Sequence, residues 1–104
     1  MLQFNSDLYG VLEDPSLESI ISWSKSNKSF VIWDPKELID RGILAQYCYQ
    51  DLPMLFRFLR LHGFTKVKGS RHLEFGHKKY FARGHPELME KLQLEVAEKI
   101  KKKA

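Results

Sequence analysis

Asp51-Leu52-Pro53-Met54-Leu55-Phe56-Arg57-Phe58-Leu59-Arg60-Leu61-His62-Gly63-Phe64-Thr65-Lys66-Val67 changes character at one glycine. Before Gly63 the apolar residues recur at helical spacing, and after it a short run rich in β-formers begins. Asp51 and Pro53 open a helix over about 52–62, and Gly63 closes it. At about 100° per residue, Leu52, Leu55, Phe56 and Leu59 fall on one side, which is the core side. Met54, Arg57 and Leu61 fall on the other, flanked by Pro53, Phe58 and Arg60. That outer side sets two guanidinium groups beside apolar side chains, and a guanidinium fork can grip the two acceptors that guanine presents in the major groove of DNA.

Upstream, Asp34-Pro35-Lys36-Glu37 is a helix start. Asp34 can accept free backbone N–H groups, Pro35 has none to satisfy, and Glu37 can reach back to complete a capping box. Leu38, Ile39, Ile43, Leu44 and Tyr47 continue an apolar side over 36–48, with a kink expected at Gly42. This helix, a short connection and helix 52–62 stand in helix-turn-helix order. Further upstream, Phe4, Leu8, Val11 and Leu12 predict an opening amphipathic helix, and Asp14-Pro15 starts a short second piece carrying Leu17, Ile20 and Ile21. Ser22-Trp23 and Ser29-Phe30-Val31-Ile32-Trp33 flank the polar turn Lys25-Ser26-Asn27-Lys28 and predict a hairpin.

Downstream, Phe64–Val67 and Leu73-Glu74-Phe75 predict a second hairpin, joined by the basic loop Lys68-Gly69-Ser70-Arg71-His72. Gly84-His85-Pro86-Glu87 opens a last helix with a stripe of Leu88, Leu92, Val96 and Ile100, and the lysine-rich end to Ala104 is expected to fray. The fold class is therefore α+β: helix, hairpin, helix, helix, hairpin and a terminal helix. Phe30, Trp33, Phe56, Phe64, Phe75 and Phe81 are assigned to the core rather than to a base-stacking surface. Trp23 is either packed between Tyr9 and Trp33 or exposed as an interaction handle.

One modest core suits 104 residues of which 43 % are hydrophobic, including two Trp, four Tyr and seven Phe. No run approaches the roughly 20 apolar residues of a membrane span, and the N-terminus lacks the pattern of a signal peptide. A soluble, intracellular protein is expected. The lone Cys48 reads as a small apolar filler. His62, His72, His77 and His85 lie 10, 5 and 8 residues apart, so no zinc spacing forms. No nucleophile–base–acid arrangement is identifiable, and neither an enzyme nor a metal or cofactor is expected.

The net charge of +4 is unevenly spread. Residues 1–53 carry four Lys/Arg against eight Asp/Glu, whereas residues 54–104 carry thirteen against five. Within 57–83 eight basic residues face a single acid, Glu74. Such segregation suits a polyanionic partner. Lys78 and Lys79 are explained equally by phosphate contacts or by solvation.

From Phe4 to about Leu92 the chain resembles the DNA-binding domain of heat-shock transcription factors. Four stretches carry the resemblance. They are Leu12-Glu13-Asp14-Pro15-Ser16; Ile21-Ser22-Trp23-Ser24 with Ser29-Phe30-Val31-Ile32-Trp33-Asp34-Pro35; Arg57-Phe58-Leu59 with Gly63-Phe64-Thr65-Lys66-Val67; and Leu73-Glu74-Phe75 with Phe81-Ala82-Arg83-Gly84. The resemblance implies a winged helix-turn-helix over residues 1–92, a three-helix bundle backed by a small antiparallel sheet, with 93–104 as a basic helical extension. It also implies that helix 52–62 enters the major groove, that Arg57 reads a guanine of GAA-type units, and that Lys66 supports a backbone contact.

The chain departs from the family pattern in having Pro53-Met54 where a serine pair opens the recognition helix, and Phe58 and Arg60 where glutamine and asparagine follow the arginine. The candidate DNA-contacting set is thus Met54, Arg57, Phe58, Arg60, Leu61, Lys66, Lys68 and Arg71. The expected partner is double-stranded DNA carrying GAA-containing or variant heat-shock elements, with another transcription factor as a further partner and the nucleus as the location. Leu88 to Ile100 spans fewer than two heptads, so a monomer is expected. The competing reading is a protein-interaction module, in which Met54, Phe58 and Leu61 form an apolar patch on a helix that no longer reads bases.

Overall fold

A computed structural model describes residues 4–45, 51–77 and 81–103. Tyr47, Cys48, Lys78 and Lys79, read above from the sequence, lie outside them, as do the side chains of Val96 and Ile100.

Helix α1 runs Phe4–Leu12 and buries Phe4, Leu8 and Leu12, a stripe at four-residue intervals. The piece expected after Asp14 is a single 3-10 turn, Pro15–Leu17. The Asp14 carboxylate accepts from Ser16 N at 2.9 Å and from Ser16 Oγ at 2.7 Å. These bonds favour the charged carboxylate and hold its pKa below the ordinary value. Ile21 then belongs to strand β1 rather than to a helix.

Strands β1 (Ile21–Trp23) and β2 (Ser29–Ile32) form the first hairpin, with Ile21 opposite Ile32 and Trp23 opposite Phe30. The second hairpin is β3 (Thr65–Lys66) with β4 (Leu73–Gly76). Antiparallel pairing of β2 with β4 joins the two hairpins into one four-stranded sheet of order β1-β2-β4-β3. Its register puts Phe30 beside Phe75 and Ile32 beside Leu73. The buried Ile21, Trp23, Phe30, Ile32 and Phe75 join the same core cluster as Leu8 and Leu12 of α1. The alternation of strand side chains accounts for this inner face.

The same alternation corrects the placement of Trp33. With Phe30 and Ile32 turned inward, position 33 turns outward, and Trp33 is 47 % exposed. Trp33 Nε1 donates to Ser22 Oγ at 2.8 Å, and the ring tilts over His72 with centroids 4.7 Å apart. Trp23 is the packed tryptophan, at 7 % exposure, between Tyr9 and Phe81 rather than beside Trp33.

Helix α2 runs Pro35–Asp40; Ala45 is helical again after the turn at 41–44, and positions 46–48 of the expected span lie outside the described residues. Asp34 caps it by accepting from Glu37 N at 3.1 Å. The second half of the expected capping box does not form with the Asp34 N–H, which donates to the Ile20 carbonyl at 3.2 Å. Gly42 ends the helix rather than kinking it. At φ +70° it follows the cap residue Arg41, and Leu44, also left-handed at φ 60°, is 5 % exposed within the core. Burial of Leu44 offsets the roughly 1–2 kcal/mol that a left-handed conformation costs a side chain with a Cβ.

Helix α3 covers Leu52–Leu61, and Asp51 stands at its N-cap position without a side-chain capping bond. Leu55 and Leu59, each 1 % exposed, anchor it, with Leu52 and Phe56 half-buried against the core. The helix closes on Gly63 at φ +85°. Gly63 N donates to the Arg60 carbonyl at 3.0 Å and Phe64 N to the Leu59 carbonyl at 2.9 Å, the paired bonds of a Schellman cap. Helix α4 runs Glu87–Lys103, through the lysines where a frayed end was expected, and buries Leu92 at 1 % exposure.

Candidate nucleic-acid interface

Anchoring of α3 through Leu55 and Leu59 decides what it offers to solvent. Met54 (36 % exposed) and Leu61 (38 %) remain open on the outer side, and Arg57 and Arg60 are exposed between them. Residues 54, 57 and 61 follow at three- and four-residue spacing and so share one stripe, with Arg60 three positions from Arg57. Among the described residues no carboxylate pairs with Arg57 or Arg60; the ion pairs that do form are Lys36–Asp40, Arg83–Glu13 and His85–Glu87. Two unpaired guanidinium groups on a convex helix are free to engage an external anion or a base edge.

Phe58 does not belong to that stripe. It is half-buried, with its ring stacked on Phe4 of α1 at 5.7 Å and 6.3 Å from His62. Phe58, an apolar residue beside Arg57 in sequence, packs α3 onto α1.

The remaining candidates lie on the second hairpin. Lys66 is exposed on β3, an edge strand that begins two residues after Gly63, and Lys68 and Arg71 are exposed on the loop between β3 and β4. The loop is held by Val67 N donating to the Glu74 carbonyl at 2.8 Å and Ser70 N to the Val67 carbonyl at 3.4 Å. The site thus divides into a helical group, Met54, Arg57, Arg60 and Leu61, and a hairpin group, Lys66, Lys68 and Arg71.

His62, which the sequence reading left without a role, is the C-cap of α3 and is 1 % exposed. Its Nδ1 lies 2.7 Å from the Phe58 carbonyl, its ring is 4.8 Å from that of Phe4, and its Nε2 is buried without a hydrogen-bond partner. Burial pushes its pKa below the ordinary histidine value, against a smaller upward pull from the Phe58 carbonyl. The signal was present in the sequence: positions 55, 59 and 62 continue the core stripe at helical spacing.

No described helix is long and apolar enough to cross a membrane, and among the described residues no three His, Cys, Asp or Glu side chains gather as they would around a metal ion.

Known proteins share both this architecture and this sequence. Heat stress transcription factor A-1a of Arabidopsis thaliana is 38 % identical over 90 residues, a match covering 86 % of this chain and 18 % of that protein. Heat shock transcription factor hsf-1 of Caenorhabditis elegans is 32 % identical over 99 residues, covering 83 % of this chain and 14 % of that one. The chain therefore matches less than a fifth of the length of either relative. Among solved structures, Skn7 of Chaetomium thermophilum, crystallised with HSE DNA, superposes with a TM-score of 0.76 at 26 % identity over 86 % of this chain and 96 % of that one. A heat shock transcription factor DNA-binding domain with cognate DNA, at 23 % identity and TM-score 0.61, shares the fold. The family model for HSF-type DNA-binding matches residues 4–95, nearly the whole chain, and with helices packed on a small antiparallel sheet the protein belongs to the HSF-type DNA-binding family, a family of transcription factors and not of enzymes.

Proposed function

We propose that this chain binds duplex DNA sequence-specifically, with α3 inserted in the major groove, and that it serves transcriptional regulation in the nucleus. The observation that carries the reading is the pair of exposed, unpaired guanidinium groups of Arg57 and Arg60 on a helix held from behind by Leu55 and Leu59. In this reading Arg57 takes the guanine, Arg60 adds a second guanine or phosphate contact, and Met54 and Leu61 meet apolar edges such as thymine methyls. Lys66, Lys68 and Arg71 meet phosphates, which position the domain and carry no base information. The preferred site keeps a guanine and departs from the GAA pattern beside it, because Met54 cannot satisfy a base amide.

A second reading, a protein-docking surface, draws support from the exposed Met54 and Leu61. It loses support from Phe58, which lies against Phe4 rather than widening that patch. Titration of the wild type and Arg57→Ala with GAA-containing and scrambled duplexes, at two salt concentrations, separates the readings. The expected result is that Arg57→Ala binds both duplexes alike, weakly and with strong salt dependence. An unchanged preference in Arg57→Ala would remove Arg57 from the reading surface.

We further propose that the isolated chain is a monomer, since one 17-residue helix carrying the exposed Leu94 offers too short a seam for a coiled coil. Sedimentation at micromolar concentration gives one species of monomer mass if this holds, and a stable trimer if it does not.

A further inference from the structure

His62 is the only buried titratable side chain among the described residues, and it sits at the foot of the helix that presents Arg57 and Arg60. Its surroundings determine its protonation state. The Phe58 carbonyl can only accept, so at 2.7 Å Nδ1 must carry the hydrogen and donate it. In a neutral ring that leaves Nε2 with a lone pair, and this atom is buried with no partner. Phe4 and Phe58 supply aromatic rings, and the buried Asn5 of α1, whose own amide atoms are unpartnered, makes no bond to it. Burial and the Phe58 carbonyl are the two influences on its protonation. Asp7 on α1, Arg57 and Arg60 on α3, and Lys66 and His77 beyond the cap contribute none.

We propose that His62 is a positioning residue for DNA reading, and that its neutral ring, by tying the last turn of α3 to α1, makes DNA affinity fall on acidification. This rests on the reading of α3 as the DNA-contacting helix. The bond to the Phe58 carbonyl spans the turn that holds Arg60 and Leu61, and the contact with Phe4 fixes that turn against the bundle. A proton taken from solvent adds to the Nε2 lone pair and makes an imidazolium, a charge and a second N–H donor that the buried ring holds without a hydrogen-bond partner in the present packing. The ring must then leave its place or lose its proton. If it leaves, the Phe58 bond and the Phe4 contact go with it, and with them the support of the turn that carries Arg60. A phenylalanine would fill the same space without titrating, so a pH response in this range is specific to histidine here.

The test uses the whole chain and a duplex selected for binding at pH 8, with the wild type, His62→Phe and His62→Asn compared from pH 8 to 5.5. His62→Phe keeps an aromatic ring and cannot titrate, and His62→Asn keeps a donor for the Phe58 carbonyl and cannot titrate. His72, His77 and His85 remain in all three proteins, so differences report position 62 alone. The wild-type Kd is expected to stay level above about pH 6.5, where the ring is neutral, and to rise relative to both variants only as pH falls toward the lowered His62 pKa, with a limiting slope of about tenfold per pH unit for one proton. His62→Asn is expected to retain the sequence preference at pH 8 better than His62→Phe, a difference that space-filling alone would reverse. Parallel pH profiles for the wild type and a folded variant would overturn the proposal. An imidazole NMR titration of the free wild type separates the two levels: a His62 that titrates at the ordinary position overturns the buried-ring premise. A depressed titration together with no DNA binding at pH 8 overturns the assignment of α3 as reader, and the positioning role with it.

Discussion

Glu13 Oε2 accepts a hydrogen bond from Trp23 Nε1 at 2.7 Å and lies 3.2 Å from Arg83 Nε, so one carboxylate ties the end of α1 to β1 and to the segment leading into α4. Around it, Gly84 N donates to the Tyr9 hydroxyl at 2.9 Å and Arg83 N to the Asn27 carbonyl at 2.8 Å. The two contacts of Glu13 differ in worth. The Arg83 pair has both side chains substantially exposed, at 51 % and 39 %, and solvent screens it. The indole N–H belongs to a tryptophan buried at 7 % exposure. Glu13→Ala is therefore expected to destabilise the domain by about 1–2 kcal/mol, as for an orphaned donor. A pocket of about 140 Å³ lined by Glu13, Ser22 and Trp23 admits water and keeps the cost at the lower end. Arg83→Ala should cost under about 1 kcal/mol and Glu13→Gln less than Glu13→Ala. Urea midpoints of the three variants check this order.

Gly63 carries two separate constraints. Its φ of +85° disfavours any Cβ, and a Cβ built there would stand 2.6 Å from His77 Nε2. Gly69 shares only the first, with φ +82° and open space around it. Gly69→Ala is expected to cost about 1–2 kcal/mol, the left-handed penalty alone. Gly63→Ala must cost more, because the His77 ring has to leave its place as well. Equal unfolding midpoints for the two variants would show that the ring moves freely.

The depressed pKa of His62 is also a statement about stability. Burial lowers it in the folded state, so the unfolded chain, with histidine near 6.5, binds the proton more readily. Stability then increases with pH between the folded pKa and 6.5, and is lost as pH falls below 6.5 toward the folded value. The unfolding midpoint of the wild type should fall between pH 7.5 and 5.5 by more than that of His62→Phe, both proteins sharing every other titrating group. A wild-type midpoint that is flat with pH relative to His62→Phe would contradict the burial of a neutral ring.

Much of this architecture was legible in the residues because local chemistry and tertiary packing agree. Gly63 ended α3 where the period changed, Asp34-Pro35 opened α2, and both hairpins lie where β-formers flank polar turns. Failures arose where side-chain type was read without its phase. The aromatic character of Trp33 suits a core, whereas the alternation that turns Phe30 and Ile32 inward turns it out. Phe58 stands beside Arg57 in sequence, and only the position of α1, set by long-range packing, shows that its ring lies against Phe4. Apolar spacing over 36–48 does not encode the break at Gly42, where Leu44 reaches the core through a left-handed turn. His62 shows the converse: its phase pointed to the core while its polarity suggested the surface, and a single bond to the Phe58 carbonyl reconciles the two.

Base reading by α3 through Arg57 can be checked by selecting bound duplexes from a random library with the wild-type chain. The account predicts an enriched motif with one fixed G, a neighbourhood that departs from GAA, and loss of that motif when Arg57→Ala is used in the same selection. No enrichment, together with a baseline affinity that falls steeply with salt, would contradict it, as would enrichment of unaltered GAA arrays that survives Arg57→Ala.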